Sequence, residues 1–348
     1  MADFSTLSVY TYTERLICRA IPAIPADGKP DVPPAHATLP NVLAAIFGPR
    51  TNHSVFSITS SQDGDFLVMD ESLHVSFAGF HAAQVGYTAI YLHESSTERS
   101  GAEVSGALST LCDCLARARV PVLNVCTLAR NIMLVPSRKH ADALATLRTA
   151  VEQPATPSKE AAASSSGPER PVKRQHVAPS TDGVRIEVTS AKVAVASLSV
   201  AALKRCSHAI LSLFFLTPAV VTKNATATAG LRERPTLQHL FELGGEVSMI
   251  VEEESLDRLE QTERESSDAL FKEIKDTIVH NWRVLDITAA DGCDGIGILS
   301  SVCLPLASLP LLNVSTLDHT FVLVHHEHLG TAIDKLTEVG FGVSAEDH

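Results

Sequence analysis

The sequence lacks the short patterns that mark common catalytic machinery. No GxGxxG follows a strand, and GxxxxGK[ST], HExxH and GxSxG are absent from the 348 residues. Those patterns cradle phosphates, hold a hydrolytic zinc or expose a nucleophilic serine, so nothing points to these chemistries. Positive charge is also scarce. The 28 Lys and Arg face 40 Asp and Glu, for a net charge of −12. That balance repels nucleic acid and anionic lipid, and neither is an expected partner. The one notable basic patch, Val172–His176, lies in a low-complexity stretch and reads as solvated linker. Long apolar runs are missing too. The longest, near Ala209–Val221, is broken by Ser212, Thr217 and Pro218 and is too short to span a bilayer. The first ten residues, MADFSTLSVY, have no basic stretch followed by an apolar core. The expectation is a soluble cytoplasmic protein. Seven scattered cysteines, an odd number, give no disulfide framework. Cys112 and Cys114 are too close for a CxxC motif, and all seven read as small hydrophobes in a reducing compartment.

What the chain does have is a repeat. Val120–Val135 reads VPVLNVCTLARNIMLV and Leu309–Val324 reads LPLLNVSTLDHTFVLV, with eight of 16 positions identical at an offset of 189 residues. Chance pairing at ordinary composition gives about one match. A weaker echo joins Phe66–Leu73 (FLVMDESL) to Ser248–Leu256 (SMIVEEESL), each after a glycine-containing turn. Between the halves, Gln153–Asp182 is rich in Pro, Ala, Ser and Lys and reads as a disordered linker. Pro25–Pro40 reads as a second disordered insert.

Each half divides into two small units. In 84–151 the apolar spacing predicts strands at Ala89–His93, Val120–Leu128 and Asn131–Pro136, with helices at Val104–Ala118 and Arg138–Val151. The partner region, 257–345, repeats the order and adds a last strand near Phe341-Gly342-Val343, giving βαββαβ. Units 5–80 and 183–256 are less regular. Each carries a hairpin, and Ser199 is positioned to cap a helix. The expected fold class is therefore α+β, with four tandem ferredoxin-like βαββαβ units in two duplicated halves.

Three clusters of titratable residues are candidates for chemistry. His325-His326-x-His328 has the look of a metal site, but exposed histidines in a polar turn outweigh that reading. Glu252-Glu253-Glu254 reads as a solvated turn. Asp291, Asp294 and Asp318 have no nucleophile or metal partner, so they are not assigned as catalytic acids. No cofactor is expected.

The phrase LNVSTLDHTFVLV, preceded by Gly297–Ala307, resembles the second strand and hairpin of ACT domains, which are βαββαβ modules that bind amino acids. The four-unit layout more closely resembles the CASTOR family of cytosolic arginine sensors of the target-of-rapamycin pathway. The resemblance rests on the order of FSIT…FLVMDE, VPVLNVCTL, DGCDGIGILSSVCLPLA and LPLLNVSTL. It implies an amino acid held between the second and fourth units. Pro121 and Val122 would lie on one side. Gly292, Asp294, Gly295, Ile296 and Gly297 from a loop, and Thr316, Leu317 and Thr320 from a hairpin, would lie on the other. Such a glycine-rich loop admits backbone amides to a carboxylate, and a helix N-terminus favours the anion. Thr320 and Gly295 stand where an arginine-binding member carries acids. A buried guanidinium without a carboxylate costs several kcal/mol, so a neutral amino acid fits better than arginine. The expected function is non-catalytic sensing coupled to a regulatory protein complex, with a homodimer among the assemblies allowed. The alternative is a constitutive interaction module with a vestigial pocket.

Overall fold

The computed structural model of the protein describes residues 7–12, 15–22, 46–47, 55–71, 86–94, 101–126, 131–152, 183–216, 236–263, 270–289 and 296–345. Within them the first half supplies strands β1 (Leu7–Thr11), β2 (Leu16–Pro22), β3 (Val55–Ser61), β4 (Gly64–Asp70), β5 (Gly86–Glu94), β6 (Leu123–Cys126) and β7 (Asn131–Pro136), with helices α1 (Gly101–Arg117) and α2 (His140–Glu152). The second half supplies β8 (Val184–Ser199), β9 (Leu237–Leu243), β10 (Glu246–Glu252), β11 (Val279–Ala289), β12 (Leu311–Ser315), β13 (His319–His325) and β14 (Val343–Ala345). Its helices are α3 (Val200–Arg205), α4 (Ser207–Leu211), α5 (Glu253–Glu263), α6 (Leu270–Ile274), α7 (Ile298–Cys303) and α8 (Leu329–Glu338).

Twelve strands close on themselves in the order β5-β2-β4-β3-β9-β10-β8-β11-β13-β12-β6-β7, with β7 returning to β5. Each pairing around this ring is antiparallel. β1 and β14 lie off it, on β5 and β8. This closed antiparallel barrel corrects the expectation of four tandem ferredoxin-like units. The ACT-domain identity, and the amino-acid and nutrient-sensing vocabulary drawn from it, find no support in this architecture.

The physical reason is edge pairing. A small separate sheet exposes two rows of unpaired N–H and C=O groups, and closing the sheet removes both. β8 shows how the sheets merge. Its 16 residues form one strand, pairing with β11 at Val184–Val188 and, after register shifts, at Lys192, Val193 and Val195, and with β10 through Val193–Ser199. Ser190 and Lys192 break the apolar pattern, so the sequence alone suggests a strand that stops at Val188.

The ring also has internal symmetry. The first half forms one arc, β6-β7-β5-β2-β4-β3, and the second half forms the matching arc, β12-β13-β11-β8-β10-β9. The arcs join through equivalent strands. At one join Ile58, the centre of β3, lies opposite Leu240, the centre of β9. At the other, Val125 lies opposite Val314, its counterpart 189 residues on. Both joins thus pair a residue with its own equivalent, and a pseudo-twofold axis passes through each.

Strand alternation divides the side chains between two environments. Phe56, Ile58, Leu67, Met69, Leu240 and Met249 pack with Leu203 of α3, Ile210 of α4, Leu256 of α5 and Leu270 of α6. On the other face Val55, Phe66, Val68, Phe241 and Leu243 meet Val125, Ile132 and Leu134 from the far side of the ring. This face of these described strands is packed with side chains. The remaining core joins Leu108, Leu111 and Leu115 of α1 to Val302 of α7, Leu336 of α8 and the strands β11–β13. No helix among the described residues is long and apolar enough to cross a membrane.

Candidate functional site

Four of the residues singled out from sequence adjoin the β6–β12 join: Pro121 and Val122 precede β6, and Thr316 and Leu317 follow β12. β6 and β12 share one register pair, Val125–Val314. Leu317 lies in the bend of the β12–β13 hairpin, beyond the last paired residue of β12. Val122 is half-buried against the main core, whereas Leu317 is 46% exposed. Pro121 precedes Val122 in the same half-buried segment. Above the seam α7 packs on α1. Gly297 caps the N-terminus of α7 with φ 87°, a left-handed conformation that L side chains rarely adopt. A Cβ built there would lie 3.4 Å from the Ala116 Cβ, near the C-terminal end of α1. Ile296 and Gly297 are half-buried. Gly292, Asp294 and Gly295 lie outside the described residues, as does Asp291.

The seam is held by two buried amides. Asn124 Nδ2 donates to Asn313 Oδ1 across it, and Asn313 Nδ2 lies 3.8 Å from Cys303 Sγ on α7. These residues are repeat counterparts flanking the axis, so strands and helix share one polar contact.

The β12–β13 hairpin satisfies much of its own polarity. Thr316 N donates to His319 O at 2.8 Å, and His319 N donates to Thr316 Oγ1 at 3.0 Å. Thr320 Oγ1 lies 3.4 Å from Ser315 Oγ. His319 is the residue that sequence reasoning passed over between Leu317 and Thr320. Its Nδ1 is 2.8 Å from Asp286 Oδ1 and its Nε2 is 3.1 Å from Asp63 Oδ2. The ring stacks on Phe321 with centroids 5.6 Å apart. The bond to Asp286 raises the His319 pKa. Burial opposes the shift, and the charges of Asp286, Asp63 and Asp318 reinforce it. Asp286 had a visible signal, a lone carboxylate in the apolar run Val284–Ile287.

A fully buried imidazole lies at the opposite join. His239 Nδ1 is 2.9 Å from Thr59 Oγ1, its register partner, and burial pushes its pKa down to about 3. It is held neutral.

The acidic run is not the solvated turn expected. Glu252 Oε1 accepts from Thr236 N at 2.7 Å, and burial raises its carboxyl pKa. Glu253 Oε1 accepts from Asn281 N at 2.7 Å. Asp70 acts similarly in the first half, accepting from Val55 N at 2.9 Å and from the Tyr12 hydroxyl at 3.0 Å. His325 and His328 meet Glu327 at 3.2 and 3.5 Å, but no group among the described residues has the geometry to hold a metal ion.

No family model matches this chain, and no curated protein matches it. Among solved structures, an Agobacterium tumefaciens protein is 18% identical, covering 47% of this chain and 95% of its own, with a TM-score of 0.30. A Vibrio cholerae protein of unknown function, titled a possible transport protein, is 12% identical over 42% of this chain and 91% of its own, with a TM-score of 0.28. Aspartate kinase from Synechocystis is 12% identical over 97% of this chain and 56% of its own, with a TM-score of 0.28. At these TM-scores the likenesses carry no argument about this chain.

Proposed function

We propose that this protein is a non-catalytic binding protein that holds a small zwitterionic metabolite, a neutral amino acid in the first instance, at the seam between its halves. The observation that carries the reading is Gly297. A residue held at positive φ opens α7 beside the last turn of α1, close to the strand pair β6–β12. A glycine there leaves the start of α7 without a Cβ between its backbone and α1. The reading does not depend on ACT units. A ligand touching both arcs would favour one arrangement of the halves and thereby change the surface offered to a protein partner.

The test is a thermal-shift screen of the full chain against each of the twenty amino acids at millimolar concentration. At about 100 times its dissociation constant a ligand adds about 2.7 kcal/mol. Stabilisation by one or a few amino acids, lost in Gly297→Val, is the expected result. No stabilisation by any of them overturns the reading.

A second reading, a constitutive interaction module, has one observation in its favour. The Thr316 hydroxyl is already engaged by His319, and Ser315 and Thr320 face each other. These groups need no ligand to be satisfied. A silent screen together with a stable partner complex supports that reading.

A further inference from the structure

We propose that Asp63, His319 and Asp286 form a proton-dependent bridge between the two halves of the chain, a device that stands whether or not the seam binds a ligand. Asp63 lies in the β3–β4 turn of the first half, whereas His319 and Asp286 lie on the adjacent second-half strands β13 and β11. In the ring order β3 and β13 are separated by β9, β10, β8 and β11. The contact is therefore not a neighbouring-strand contact. It ties a first-half hairpin to the second-half arc across the barrel.

The chemistry of the ring makes the tie conditional. An imidazolium has two N–H donors, and here each ring nitrogen faces a carboxylate, at 2.8 Å and 3.1 Å. Neutral imidazole keeps one donor, so one of the two contacts loses its hydrogen bond and its charge attraction. Loss falls on Asp63. Asp286 makes the shorter contact and its side chain is 25% exposed, against 69% for Asp63. Phe321 stacked on the ring and the two backbone bonds to Thr316 keep His319 in place after deprotonation. The charged groups around the ring are Asp286 from β11, Asp63 from the β3–β4 turn and Asp318 from its own turn. Glu187 on β8 lies opposite Asp286 and is paired with Arg185 at 3.0 Å. Among the described residues, the charged groups that act on the ring directly are acidic and favour the imidazolium. The bridge is thus complete below the ordinary histidine value and opens as pH rises through the raised one.

The full chain, labelled with 13C-histidine and 15N, is titrated from pH 5 to 9 by NMR. The His319 ring is assigned from its disappearance in His319→Gln. We expect its midpoint to lie above 6.5, and the amides of Asp63 and Gly64 to shift with the same midpoint. In His319→Gln that amide transition disappears. In Asp63→Ala, a change at an exposed side chain that leaves the core intact, the ring midpoint falls. Amides of the 61–64 turn that show no transition at the His319 midpoint, or that titrate unchanged in His319→Gln, overturn the proposal. So does a ring midpoint unmoved by Asp63→Ala.

Discussion

Replacing Asn124 or Asn313 by alanine tests the β6–β12 seam at its weakest-paired point. Both side chains are buried, at 0% and 2% exposure, and they bond each other across strands that share one register pair. Removing either amide leaves the other buried without that partner, which costs about 1–3 kcal/mol. Asn313 also contacts Cys303 on α7, so Asn313→Ala should be the costlier change. Once one amide is gone, removing the second costs less, and the double-mutant cycle should yield a coupling of about 1–2 kcal/mol. Urea denaturation followed by far-UV circular dichroism reads this directly. With a slope near 2 kcal/mol/M, a loss of 2 kcal/mol moves the midpoint by about 1 M. Additive effects of the two substitutions, or two neutral single variants, would refute the claim that these residues meet at the join of the arcs.

Three other outcomes follow from local geometry. Gly297→Ala imposes a Cβ on a left-handed residue and should destabilise the protein by about 1–2 kcal/mol through conformational strain, because the nearest atom, at 3.4 Å, is in ordinary contact; thermal unfolding measures this. Ser199 Oγ accepts from Ala202 N at 3.1 Å, so Ser199→Ala should cost about 1 kcal/mol, with Ser199→Gly less harmful. Burial holds His239 neutral, with its pKa pushed down to about 3, so the unfolded chain takes up a proton first as pH falls. Its contribution is present above 6.5 and declines as pH drops towards 3, and this acid-limb slope should shrink in His239→Gln.

Much of the secondary structure was legible because burial follows period. The strand at Asn131–Pro136 appears with its expected bounds, and Ser199 caps its helix as its position suggested. The closure of the barrel was not legible. It depends on the joins β3–β9 and β6–β12, and strand-to-strand partnership between distant segments leaves no mark in local pattern. β2 went unseen because Arg19 and Pro22 interrupt its apolar run. Val122, Gly297 and Thr316 were singled out through the family resemblance rather than from local pattern. Asp63 and His319 were not, because their proximity comes from folding one half across the other rather than from either half alone. Glu252 was misread because a carboxylate that caps a strand looks, in sequence, like any acid in a turn.

The most direct measurement is hydrogen exchange of the full chain with and without a mixture of the twenty amino acids. A ligand at the seam predicts slowed exchange in 120–126 and in 296–320, with 55–61 and 237–243 unchanged. No change anywhere, or protection confined to the β3–β9 join, contradicts the account.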